Sequence, residues 1–193
     1  MSSKSSLIFL LAMAASSTAI AQNTTDLKVF EPVFPSAYED MRRDAAVSYS
    51  NKDYDKAFAQ FQRLSCAGDV QSQSALGRMY IDGNGVQQDD LKGYAWLKMA
   101  AQVIFPKYQY VVKELEKAMT PNQREVSDAM VADYMKYYSF AATGMSCQPA
   151  AMNDDPIPNE IDCLPIRQAE RYMLRRCEAP EQALIKMDSA KSE

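Results

Sequence analysis

The 193-residue chain contains no histidine. Without an imidazole, Ser-His-Asp and Cys-His nucleophile systems and every His-ligated zinc site are excluded. No serine stands three residues before a lysine and no Gly-x-Ser-x-Gly elbow occurs, so the common serine acyl-enzyme arrangements are missing too. Asp89-Asp90 and Asp154-Asp155 could move protons, but adjacent acids in a loop or a first helical turn are ordinarily solvated. Neither a Gly-rich phosphate loop nor EF-hand spacing is present. The side chains left with distinctive chemistry are four cysteines, Cys66, Cys147, Cys163 and Cys177. They lie far apart with no Cys-x-x-Cys pair, a spacing that suits disulfides better than a metal. The sequence therefore predicts no catalytic residue, no metal site and no cofactor, and a protein that is not an enzyme.

Disulfides require an oxidising compartment, and the amino terminus predicts one. Lys4 is followed by an apolar stretch from 7 to 15, too short to span a bilayer, and by Ala19-Ile20-Ala21, a small-x-small cleavage signal before Gln22. Residues 1–21 read as an export signal, which predicts a periplasmic or secreted protein with no membrane span after signal removal. No cysteine follows the apolar stretch, so a lipid anchor is not expected. Lysine and arginine total 21 against 25 acidic residues, a net charge of −4. Arg42-Arg43 and Arg175-Arg176 are the densest basic pairs and read as solvated helix faces, so no nucleic-acid partner is expected.

The elements that must carry these residues are mostly helical. Residues 22–35, with Pro32 and Pro35, read as an extended arm. A helix then opens at Pro35-Ser36 with Tyr38, Met41, Ala45 and Tyr49 on one face, and Asn51-Lys52-Asp53 ends it. A second runs over 54–64. Leu76, Met79 and Tyr80 recur at spacings of three and four, as do Trp96, Leu97, Ala100 and Ala101 in the helix after Asp89. Between those two, Gly83-Asn84-Gly85 suits a turn through positive backbone angles, and Asp89 suits a helix N-cap. Trp96 is expected in the core. Further helices are expected over 107–118 and from Thr120-Pro121 to 138, a sound helix start. Residues 143–162, dense in Pro, Asn and Asp, read as a loop, and 165–176 as a final helix.

That final helix bears on the cysteines. A helix over those residues would be about 18 Å long, far beyond what a disulfide bridges, so Cys163 should not pair with Cys177. Two connectivities stay open: Cys147 with Cys163 and Cys66 with Cys177, or Cys66 with Cys163 and Cys147 with Cys177. The first is preferred because it closes a short polar loop. In it, the link from Cys66 would tether the carboxy-terminal helix against the rest of the molecule.

Shifted by about thirty-six positions, the chain weakly repeats itself: Lys56-Ala57 falls on Lys92-Gly93, Phe61 on Leu97 and Leu64-Ser65 on Ala100-Ala101. Ala57, Gly68, Leu76-Gly77, Tyr80, Gly83, Gly85, Asp89, Trp96 and Ala100-Ala101 resemble the signature of the Sel-one-like repeat family, relatives of the tetratricopeptide repeat. The sequence departs from it at Ser72 and at Gly93, where the family's Ala would be the better helix former by roughly 1 kcal/mol. The Thr-Pro-x-Gln stretch from Thr120 is similar to the segment that follows the last repeat in such proteins. The resemblance implies an all-α fold, a short right-handed solenoid of helical hairpins with a C-terminal helical extension. Residues 36–102 would form the repeat region, 103–142 added helices covering the stack, and 143–193 a tethered loop and helix. It also implies a protein-protein interaction or adaptor module whose partner is another protein or peptide. Some disulfide-containing secreted members are reported to bind lactams and hydrolyse them weakly. That enzymatic alternative is disfavoured here because Cys66 stands alone in the repeat region.

Overall fold

The computed structural model describes residues 29–149 and 161–177. The expected signal over 1–21 lies outside them.

Helix α1 (Pro35–Ser50) and helix α2 (Tyr54–Cys66) form a first antiparallel hairpin, turned at Asn51-Lys52-Asp53 with Lys52 in the left-handed region at φ 63°. Helices α3 (Val70–Asp82) and α4 (Asp90–Ala100) form the second, α5 (Pro106–Ala118) follows, and α6 (Pro121–Tyr138) packs across α4. A single turn, α7 (Phe140–Thr143), ends the helical part. The architecture is a short helical solenoid, as the periodicity predicts.

Local signals set the helix ends. The Asp69 side chain accepts the Ser72 N–H at 2.7 Å and opens α3, and Asp89 accepts the Lys92 N–H at 2.9 Å and opens α4. Thr120 and Gln123 form a reciprocal capping box at the start of α6, with Pro121 in its first turn. Gly83 closes α3 in the left-handed conformation, and Gly85, at φ 70°, sits so that an added Cβ would run into the Tyr54 carbonyl. The turn between α3 and α4 is therefore also a contact with the start of α2.

The α3–α4 crossing is backbone on backbone. A Cβ added at Gly77 would lie 2.8 Å from the Gly93 carbonyl oxygen, and one added at Gly93 would lie 2.8 Å from that of Gly77 and 2.5 Å from Ile81 Cγ1. Gly93, a weak helix former and a departure from the repeat signature, is thus required by packing. Leu76, Met79, Ala57, Leu64, Tyr94 and Leu97 fill the core around this crossing, all at most 3% exposed. Trp96 is 5% exposed, as expected of a core residue, but its ring packs outward from the hairpin onto α6. It lies 5.3 Å from Tyr138, nearly parallel, and 4.8 Å from Tyr134. Tyr80 is half-buried, edge-on to Phe58. Ala100 is buried in a smaller cluster with Val70, Val103, Tyr108, Met145 and Cys163, while Ala101 caps α4. Gly68, at φ 91°, presses against Thr143 of α7.

Three expectations are corrected. The segment 165–176 is not a helix: β4 (Arg167–Gln168) and β5 (Arg171–Arg175) form a hairpin turned at Ala169, whose φ is 53°. Residues 22–35 are not simply an arm, because Phe30–Val33 forms β1, antiparallel to β5 with Phe30 opposite Arg175 and Val33 opposite Tyr172. Pro32 is tolerated because β1 is an edge strand of the order β1-β5-β4. The expected loop over 143–162 begins with β2 (Ser146–Pro149), and its last residues lie in β3 (Ile161–Leu164), antiparallel to β2. The physical reason is shared. A five-residue Arg-Tyr-Met-Leu-Arg run fits either period, and pairing to a distant strand, with Met173 and Leu174 both buried on opposite faces, decides for β.

The disulfides join Cys66 to Cys177 and Cys147 to Cys163, with Cα separations of 5.3 and 4.0 Å. This is the connectivity preferred because Cys147 with Cys163 closes a short loop, although the helix that argued against pairing Cys163 with Cys177 does not form. Cys147 and Cys163 face each other directly across β2 and β3, and Cys177 follows β5, which packs on α1, and reaches Cys66 at the end of α2.

Candidate functional site

Helices α1, α3 and α5, with Phe61 of α2, line a groove of about 490 Å³. Its floor carries small side chains, Ala46 from α1 and Ser72, Ser74 and Ala75 from α3; Tyr108 and Val111 of α5 form an apolar wall. Three cations reach into it, Arg42, Arg78 and Lys107.

Arg42 is committed. Its Nε lies 3.3 Å from a carboxylate oxygen of Asp69, itself 1% exposed, and the Tyr38 hydroxyl donates to the same oxygen at 2.8 Å. Asp69 thus caps α3 with one oxygen and ties α1 to it with the other. Burial, reinforced by the neighbouring Asp69 carboxylate, pushes the Tyr38 phenol far above its ordinary range, so it stays a donor. Burial works against the Arg42 charge, but Asp69 and further anions including Glu39 and Asp162 raise its pKa overall. The expectation of a solvated Arg42-Arg43 face is half corrected: Arg42 anchors the groove, and Arg43 is an exposed partner of Asp40.

Arg78 and Lys107 differ. Both are exposed, and among the described residues neither has an ion-pair partner. Arg78 reaches Ser74 Oγ at 3.4 Å, and Lys107 Nζ sits 4.9 Å from the Tyr108 ring centre. Two cations with no ion-pair partner among the described residues, in one groove of a chain with net charge −4, are a local reversal of sign.

A second cleft of about 580 Å³ opens between α4, α5 and α6, lined by Lys98, Glu116, Gln109, Val112, Val131 and Met135 among others. Several of its polar groups pair with one another, although Lys113 has no ion-pair partner among the described residues. Glu116 accepts from Lys98 and, at 2.9 Å, from the Tyr94 hydroxyl, and Gln109 donates to the Ala101 carbonyl at 2.5 Å. The hydrogen bond from Lys98 holds the Glu116 carboxyl below its ordinary range.

Of the residues singled out in the sequence, Ser72 and, through Tyr108, the cluster around Ala100 border the groove. Ala57, Leu76, Gly77, Gly83, Gly85, Asp89 and Trp96 build the scaffold behind it. The sequence reading missed Arg78 and Lys107. Arg78 stands inside the Leu-Gly-Arg-Met-Tyr stretch of the motif, on the face opposite its buried residues, and that polar face was the available signal. Among the described residues no three acidic, cysteine or histidine side chains converge to hold a metal ion, and no helix is long and apolar enough to cross a membrane. All four cysteines are in disulfides.

No family model matches the chain, and no curated protein matches it. Among solved structures it is similar to c5321, a protective antigen present in uropathogenic Escherichia coli strains that displays an SLR fold. The identity is 20%, the TM-score 0.44, and the match covers 53% of this chain and 23% of that one. The chain therefore spans less than a quarter of the antigen's length.

Proposed function

We propose that this chain is a non-enzymatic protein-interaction module, exported to the periplasm or beyond the cell, that binds a segment of another protein in the groove between α1, α3 and α5. The observation that carries the reading is the groove itself, lined mainly by α1, α3 and α5 with Phe61 of α2, and holding two cations without ion-pair partners among the described residues. Helical stacks offer such surfaces without needing reactive side chains. The resemblance of the stretch around Gly68 to Ala101 to Sel-one-like repeats supports the same reading. Two disulfides and the basic, apolar and small-residue order of the amino terminus support export with cleavage after Ala21.

The test is comparative capture from the host cell envelope with tagged native protein and an Ala75→Trp variant, whose indole would fill the groove floor. Partners retained by the native protein and lost by the variant are the expected result. Identical capture by both would reject the groove. Intact mass and terminal sequencing of the protein from its host should give a chain beginning at Gln22, and a retained Met1 in a reducing cytosol would end the export reading.

A further inference from the structure

We infer that the segment taken by the groove is acidic, a stretch of partner chain carrying Asp or Glu side chains between apolar ones. The inference rests on the interaction reading above and names the chemistry of its partner. Arg78 and Lys107 project from different helices, α3 and α5, into one groove, and no described carboxylate neutralises either. The groove's own acid, Asp69, is buried and already engaged by Arg42, Tyr38 and the Ser72 N–H. An entering carboxylate thus meets two cations and no competing exposed acid among the groove-lining residues.

The rest of the lining sets the remainder of the ligand. Ala46, Ser72, Ser74 and Ala75 leave room for a main chain to lie low across α1 and α3, and exposed Gln71 offers an amide to it. Val111, 38% exposed, and the Tyr108 ring give an apolar wall for the side chains between the acids. A nucleic-acid backbone fits poorly, since it would need a longer row of cations than Arg78 and Lys107 supply, on a chain of net charge −4. Charge complementarity of this kind sets selectivity and capture rate more than total affinity.

The experiment pans a random library of about ten-residue peptides, a length typical of groove ligands. The targets are the native protein, Arg78→Glu/Lys107→Glu, and Ala75→Trp, each checked by circular dichroism. Both charge reversals are at exposed positions, so the fold should survive them. Peptides selected on the native protein should be rich in Asp and Glu over Asn and Gln, and the best should bind the double variant about tenfold more weakly or worse. Its affinity should fall as salt rises, and Ala75→Trp should lose it. Selected peptides without acids, insensitive to Arg78→Glu/Lys107→Glu but lost on Ala75→Trp, would overturn the acidic specificity and leave the groove standing. Peptides bound equally by Ala75→Trp, or no selected peptide at all, would overturn the groove reading itself. Binding of a poly-uridine oligonucleotide or of anionic phosphatidylglycerol vesicles through Arg78 and Lys107, with no acidic peptide selected, would replace the peptide by a phosphate ligand and overturn the inference.

Discussion

Gly77 and Gly93 meet face to face where α3 crosses α4, so close that a Cβ on either would sit 2.8 Å from the other's carbonyl oxygen. Gly93→Ala should therefore destabilise. Helix propensity alone favours Ala by about 1 kcal/mol, but overpacking between two backbones costs about 1–3 kcal/mol, and neither carbonyl can move without shifting its helix. Urea denaturation measures the difference; a Gly93→Ala protein more stable than the native one would show that the helices are farther apart. Gly77→Ala should behave likewise, its Cβ also meeting Leu97 Cγ at 2.8 Å.

In the next turn, Gly85→Val should cost more than Asn84→Ala. Gly85 has φ 70° and abuts the Tyr54 carbonyl, so a β-branched side chain meets both torsional strain and backbone. Equal thermal midpoints for the two variants would contradict the turn.

Trp96→Ala should cost about 3–5 kcal/mol, the usual loss for a buried aromatic side chain. Because Trp96 packs on Tyr138, a double-mutant cycle with Tyr138→Leu should show coupling of about 0.5–1.5 kcal/mol. A loss under about 1 kcal/mol for Trp96→Ala would place the ring at the surface.

Glu116 and Lys98 predict a pH dependence. The Lys98 hydrogen bond depresses the folded Glu116 pKa. A carboxyl with a depressed folded pKa contributes its stability above its unfolded pKa of about 4.3, and loses it as pH falls through the lower folded value. Both side chains are about a third exposed, 31% and 34%, so the pair contributes about 0.5–1 kcal/mol. Glu116→Gln should be less stable than the native protein at pH 7, with the gap closing in acid below that window. A gap constant with pH would assign the loss to packing.

The disulfide between Cys66 and Cys177 closes a separation of 111 residues and fastens the strand layer to α2. Cys66→Ser/Cys177→Ser should lose about 2–4 kcal/mol. Non-reducing peptide mapping should recover that link and Cys147 with Cys163; a peptide joining Cys163 to Cys177 would overturn the connectivity.

The helical hairpins were legible in the sequence because their signals are local. Asp89 and Thr120 cap helices through atoms three residues away, and the apolar spacing of Leu76, Met79, Trp96 and Leu97 reports burial within one helix, whereas the Asp69 cap was not read from the sequence. Absence of histidine likewise needed no structure to exclude imidazole chemistry. What the tertiary structure decided depends on partners far along the chain. Tyr172 to Leu174 become a strand because β1 lies beside them, Gly93 is required because Gly77 is its neighbour, and the groove exists because α1, α3 and α5 converge. Hydrogen-bond pairing between distant strands, close backbone approach and the sharing of one groove by Arg78 and Lys107 are properties of residue pairs separated in sequence, and a period read along one element carries no information about them.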